Sequence, residues 1–210
     1  MPLIRRNSSD EQAAKAAGAS GASPAEQLAA GSAAERWAAA RALSADAGAV
    51  SALAAAVRTE DAPEVRDAIF TSLVVIRTPD AARALTELLR SDAAHVRTGA
   101  LDALGSMVDL ARPFLPALLR DADPDVRLLS CELVRSLEGQ DGTDLLCSAL
   151  ADERHANVCG AAVDVLSEIG TASAVDVLRQ WAVRFASDAY LMFAIADAIA
   201  RVEQRPPQNG

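Results

Sequence analysis

The sequence predicts an all-α fold, an α-solenoid of about six stacked helical hairpins. Three observations lead there. The chain of 210 residues is 51% apolar but only 3% aromatic, so Ala, Leu and Val supply its apolar mass, and Ala and Leu are strong helix formers. A pattern of the form V-R-x-x-A-A-x-x-L recurs, its second position falling at Arg36, Arg66, Arg97, Arg127, Cys159 and Met192, with steps of 30, 31, 30, 32 and 33 residues. An aliphatic residue follows seven positions after each of these, two helical turns further on. Between the copies lie further apolar residues at helical spacing, separated by turn and cap signals.

Taken in chain order, residues 1–23 are rich in Ser, Gly and Ala with almost nothing large to bury, and read as a disordered arm. The first hairpin is expected over 24–44 and the second over 45–76, where Ala62-Pro63 can start a helix, since proline suits the first helical position. Thr78-Pro79 opens the third unit, 77–108, with Leu85, Leu88 and Leu89 on one face. The fourth, 109–138, has Phe114-Leu115 with Leu118-Leu119, then Asp123-Pro124 before its second helix. Leu145-Leu146 with Leu150 mark the fifth, 139–170, and Gly170 fits a helix stop. The sixth spans 171–203, with Trp181 and Phe185 as terminal packing. Pro206-Pro207 should end the fold, leaving 204–210 as a disordered tail. One such hairpin cannot bury its apolar stripe alone, whereas stacking makes a continuous core over 24–203.

Charge and motif content exclude more than they name. The arm carries +1 and the whole chain −9, so the remainder carries −10. That argues against nucleic acid as a partner, because its binders need basic patches. The charge-free apolar run needed for a membrane span is lacking, as is an apolar stretch after Arg5-Arg6 that would make a secretory signal. A cytoplasmic chain with no membrane partner is expected. Cys131, Cys147 and Cys159 are odd in number with no C-x-x-C pair, and read as buried thiols. His95 and His155 each open a second helix and read as surface or capping residues. With no phosphate loop or nucleophile elbow, no catalytic, cofactor or metal residue is assigned, and a non-enzymatic protein is expected.

The repeated residues resemble the HEAT-repeat family, in particular its short repeats of the phycobilin-lyase type. The family pattern, approximately D-x-x-x-V-R-x-x-A-A-x-A-L-G-x-I-G, is matched by Asp92, Val96-Arg97, Gly99-Ala100 and Ala103-Leu104-Gly105, and again by Val158, Ala161-Ala162, Leu166 and Ile169-Gly170. The resemblance implies that the arginine reaches an aspartate in a turn and ties neighbouring units: Arg66 with Asp61, Arg97 with Asp92, Arg127 with Asp123. Cys159 and Met192 depart from it, which implies more purely apolar packing in the last two units. It also implies that the second helices line a concave surface.

On that surface the fifth position after the arginine is expected to point away from the core. It is Arg41, Thr71, Asp102, Glu132, Asp164 and Asp197, so four acidic residues would form a stripe. Helices about 10 Å apart lie near the screening length, so the fields of Asp102, Glu132, Asp164 and Asp197 would partly add. The first position after the arginine supplies Trp37, Leu128 and Phe193 as apolar anchors beside the stripe. The expected function is a scaffold or adaptor that binds a protein partner with a basic patch, in bacterial signalling or cofactor assembly. Two alternatives rest on the resemblance: a phycobilin-lyase-like subunit handling a tetrapyrrole, and a DNA-lesion recognition protein, which the −10 charge disfavours.

Overall fold

A computed structural model describes residues 21–205. The expected arm over 1–23 and tail over 204–210 therefore lie for the most part outside the described residues. The described part is an α-solenoid of helical hairpins. Helices α1 (Pro24–Ala30) and α2 (Ala33–Leu43) form the first. Next come α3 (Val50–Val57) with α4 (Pro63–Ile76), and α5 (Pro79–Leu88) with α6 (Ala94–Gly105). The fourth unit's first helix is broken into α7 (Val108–Ala111), a 3-10 turn and α8 (Leu115–Leu118), before α9 (Pro124–Val134). The breaks coincide with Pro113 and Pro116, each of which removes a backbone donor. The last two pairs are α10 (Gly139–Leu150) with α11 (Ala156–Ile169), and α12 (Val175–Arg184) with α13 (Ala189–Gln204).

Helix starts follow from local chemistry. Ser23 and Ser32 each form a capping box, with Glu26 and Glu35 respectively. The Thr78 hydroxyl accepts the Ala81 N–H ahead of α5, and the Asp123 carboxylate accepts the Asp125 N–H ahead of α9. The Gly170 N–H closes α11 on the Leu166 carbonyl at 2.8 Å, and a Cβ at Gly170 would meet that carbonyl oxygen at 2.3 Å.

The core is a continuous column of aliphatic side chains. Leu53, Val57, Leu73, Leu85, Leu104, Leu119, Leu146, Leu166 and Leu178 are all essentially buried, each contributing about 1.5–3 kcal/mol. Second helices stack on one another in sequence, α2 on α4, α4 on α6, α9 on α11 and α11 on α13. Trp181 is fully buried in the last unit, with no partner for its indole Nε1 among the described residues, and Phe185 is half-buried against the same core.

The predicted arginines do reach the turns, but there each bonds within its own unit, and to backbone carbonyls instead of carboxylates. Arg66 donates to the carbonyls of Glu60 and Asp61 at 3.2 and 2.7 Å. Arg97 donates to those of Ser91 and Asp92 at 2.7 and 3.1 Å. Arg127 donates to those of Asp121 and Ala122 at 2.8 and 3.2 Å. The carboxylates of Asp61, Asp92 and Asp123 are not the partners; all three residues are exposed. The acceptors lie in the turn between the two helices of a unit, past the helix ends at Val57, Leu88 and Leu118, where carbonyls have no helical partner and the guanidinium satisfies them.

Carboxylates do join units, from one turn further along the chain. Glu60 takes Arg36 through two bonds of 2.7 Å. Glu153 takes Arg127 at 2.7 and 3.1 Å, and Asp121 takes Arg90. The same turn position caps the second helix of its own unit. Glu60 accepts from Ala62 N–H at 2.9 Å, Ser91 from Ala93 at 3.3 Å, Asp121 from Asp123 at 2.9 Å and Glu153 from His155 at 2.8 Å. Arg36 holds Glu60 below its ordinary carboxylate pKa by hydrogen bonding. For Glu153, burial works against ionisation, but Arg127 and two backbone N–H groups outweigh it and lower the pKa.

At Cys159 the turn still receives a guanidinium. Arg184, at the end of α12, donates to the carbonyls of Ala151 and Glu153, each at 2.8 Å. The expectation of purely apolar packing in the last units is therefore corrected: the cation returns from the following unit. Cys159 and Cys131 are buried, and burial pushes both thiols up to about 12.

Candidate functional site

The second helices offer one continuous face, and the predicted acidic residues sit on it. Grooves run between neighbouring second helices. One, of about 350 Å³ between α4 and α6, has Asp67, Thr71 and Asp102 on its rims and Phe70 and Gly99 in its wall. The next, of about 410 Å³ between α6 and α9, brings Asp102 and Glu132 together. A third, of about 270 Å³ between α11 and α13, brings Asp164 and Asp197 together with Gly160, Tyr190 and Phe193. The recurrence of 30–33 residues thus translates into a shared edge, because equivalent residues on stacked helices fall side by side.

The stripe is partly neutralised from within. Arg135 meets Glu132 at 3.0 Å and Asp164 at 2.8 Å, and also Glu168. Burial works against the Arg135 charge, but these carboxylates outweigh it and hold its pKa above the usual arginine range. Arg201 meets Asp197 at 2.7 Å. Asp102 makes no ion pair among the described residues, and is exposed.

Among the expected anchors, Phe193 is 73% exposed and Trp37 41%. The guanidinium of Arg41 lies 5.1 Å from the Trp37 ring centroid, a cation–π contact within one helix. Leu128 is half-buried against the core. Sequence reasoning missed Tyr190, 80% exposed in the first turn of α13, and missed Arg135 as the counter-ion. Tyr190 lies outside the recurring nine-residue pattern, so the repeat alignment gave no signal for it. A larger cavity, about 540 Å³, opens at the other end of the array between α1, α2 and α3. Its walls are chiefly alanine; of its charged groups, Arg36 and Glu60 are bonded to each other and Asp61 is exposed at the rim.

Hairpins stacked so that each touches chiefly its neighbours define a helical-repeat protein, whose extended surface is of a kind commonly used to bind other proteins. The chain belongs to the HEAT-repeat family, whose pattern matches residues 22–105 and 111–203. No curated protein matches it. Among solved structures it is similar to an engineered protein of the Northeast Structural Genomics Consortium, at 20% identity and TM-score 0.44 over 86% of this chain and 95% of that one. It is also similar to computationally designed armadillo repeat proteins for modular peptide recognition, at 18% identity and TM-score 0.43 over 85% of this chain and 98% of that one.

Proposed function

We propose that this protein is a non-enzymatic interaction scaffold that takes a basic segment of a partner protein along its second-helix face. The observation that carries the reading is the pairing of carboxylates across adjacent grooves: Asp102 with Glu132, and Asp164 with Asp197. Three carboxylates share the single Arg135, and Asp102 is left for an incoming cation. Such charges steer and orient a partner more than they add affinity. Phe193, Tyr190 and Trp37 supply exposed apolar surface on the same face, and aromatic residues dominate interface energetics. Neither a tetrapyrrole nor DNA is favoured by a specific feature of this face.

The test is charge reversal. Immobilised protein carrying Asp102→Lys and Asp164→Lys is compared with the wild type for proteins retained at low salt and identified by mass spectrometry. Loss of basic partners, with far-UV circular dichroism unchanged, is the expected result. Retention of the same partners by the variant overturns the acidic docking reading.

A further inference from the structure

We infer that the groove between α1 and α3 takes a segment of this same chain, residues 1–6, with Leu3 and Ile4 against its alanine wall and Arg5 and Arg6 at its acidic rim. The argument begins with α1, which packs chiefly on α2 and only lightly on α3. Of its seven residues it buries only Leu28, and a helix that short is marginal without tertiary support. Later first helices are tied across their grooves by side chains. Arg112 meets Asp141 at 2.6 Å, and Arg120 donates to the Ser148 carbonyl at 3.2 Å. Among the described residues α1 sends no such bond to α3, and its one charged side chain, Glu26, is spent on Ser23. The space left between them is the cavity of about 540 Å³.

The wall of that cavity is apolar. Ala25 and Ala29 of α1 and Ala52, Ala55 and Ala56 of α3 line it, and Ala25, Ala29 and Ala55 are exposed. Ala52, Ala55, Ala56 and Thr59 fall three, one and three residues apart, on one face of the helix. Such a wall has room for large aliphatic side chains and presents them nothing polar. Past the end of α3 the rim turns acidic. Glu60 and Asp61 line it, and Glu64 stands in the first turn of α4. All three act on Arg36 in the same wall and raise its pKa, Glu60 first through its hydrogen bonds. Arg36 is committed to Glu60, and Arg66 to backbone carbonyls. Arg58 lies off the lining face of α3. Asp61 and Glu64 are exposed and make no ion pair among the described residues.

Composition and reach select the occupant. Within residues 1–20, Leu3 and Ile4 are the only branched aliphatic side chains, and Arg5-Arg6 follow them directly. Two large aliphatic groups followed by two cations complement an alanine wall that ends in Asp61 and Glu64. The connection is long enough in any conformation. About 15 residues lead from Arg6 to Gly21, a span of ~22 Å if wound as a helix and ~50 Å if extended. The seven residues of α1 rise only about 10 Å. Segment and groove belong to one molecule, so the effective concentration is on the order of millimolar. A contact too weak to hold a free peptide is then filled.

Amide hydrogen exchange of the full chain, read by mass spectrometry, tests this. Leu3→Asp with Ile4→Asp is expected to speed exchange in α1 and at the C-terminal end of α3 at least tenfold, with α9 and α11 unchanged. Arg5→Glu with Arg6→Glu is expected to do the same, and Asp61→Arg with Glu64→Arg to restore protection in that background. A cysteine pair, Ser8→Cys with Thr59→Cys in a Cys147→Ser background, is expected to form a disulfide within one chain, Cys131 and Cys159 being buried. The same pair should close at least tenfold more slowly once Leu3→Asp and Ile4→Asp are added. Exchange in α1 indifferent to these substitutions, equal closure with and without the aspartates, or disulfides formed only between chains would each overturn the inference. Asp102, Glu132, Asp164 and Asp197 are untouched by these variants, so the outcome is separate from that of the partner test.

Discussion

Replacing Gly99 by alanine asks whether the stack is held by close approach or only by apolar composition. In α6 the new Cβ would stand 2.2, 2.6 and 2.8 Å from three atoms of the Phe70 ring. No carbon contact survives at those distances, so the ring has to swing toward the groove it lines, giving up burial worth about 1.5–3 kcal/mol. Alanine in a helix interior returns about 1 kcal/mol over glycine. The net expectation is a loss of about 1–2 kcal/mol, or roughly 4 °C in Tm for a domain of this size. Gly160 supplies the control, because it lies inside α11 and a Cβ there meets nothing within 4 Å. Gly160→Ala is expected to stabilise by about 0.5–1 kcal/mol. Urea unfolding followed by circular dichroism measures both, and Phe70→Leu closes a double-mutant cycle. With the shorter side chain, Gly99→Ala should become neutral or stabilising. Equal stabilisation by the two alanines, or no coupling to Phe70, would refute the reasoning.

Two further outcomes follow from the turns. Glu153→Gln removes the carboxylate that both pairs with Arg127 and caps α11, and should cost about 2–3 kcal/mol at neutral pH. Because Glu60 and Glu153 are held below their ordinary value of 4.5, their contribution is present above that pH and lost as pH falls through the folded values. The wild type should therefore lose its advantage over Glu153→Gln in acid, and a pH-independent gap in urea midpoint would contradict this. Arg184→Met removes the two carbonyl contacts of 2.8 Å and should reduce amide-exchange protection in α11, α12 and α13 while α4 and α5 keep theirs; a uniform loss would argue against a local role.

Much of this architecture was legible before any coordinates. The recurrence from Arg36 to Met192 fixes how many hairpins stack, and Thr78-Pro79, Asp123-Pro124 and Gly170 mark helix ends through local rules that need no tertiary context. The same recurrence put Asp102, Glu132, Asp164 and Asp197 in one row. What escaped was side-chain reach across units. An arginine that seeks carbonyl oxygens leaves no acidic partner in the sequence, so Arg66 and Arg97 were matched to the wrong groups. Arg184 lies outside the repeated pattern, and nothing in its neighbours signals that it serves a turn some thirty residues earlier. Arg135 was hidden for the opposite reason: it lies in the same helical row as the acids it neutralises, and net charge does not report who sits beside whom.

The guanidinium of Arg184 makes the last four helices a single inseparable block. In the earlier units the turn carbonyls are met by the unit's own arginine, and only side chains such as Glu60 and Glu153 reach the neighbour. The fifth hairpin is finished only when the sixth has arrived, so an array cut after Gly170 would leave its final turn with bare carbonyls. Removing the sixth repeat should therefore disturb the fifth as well.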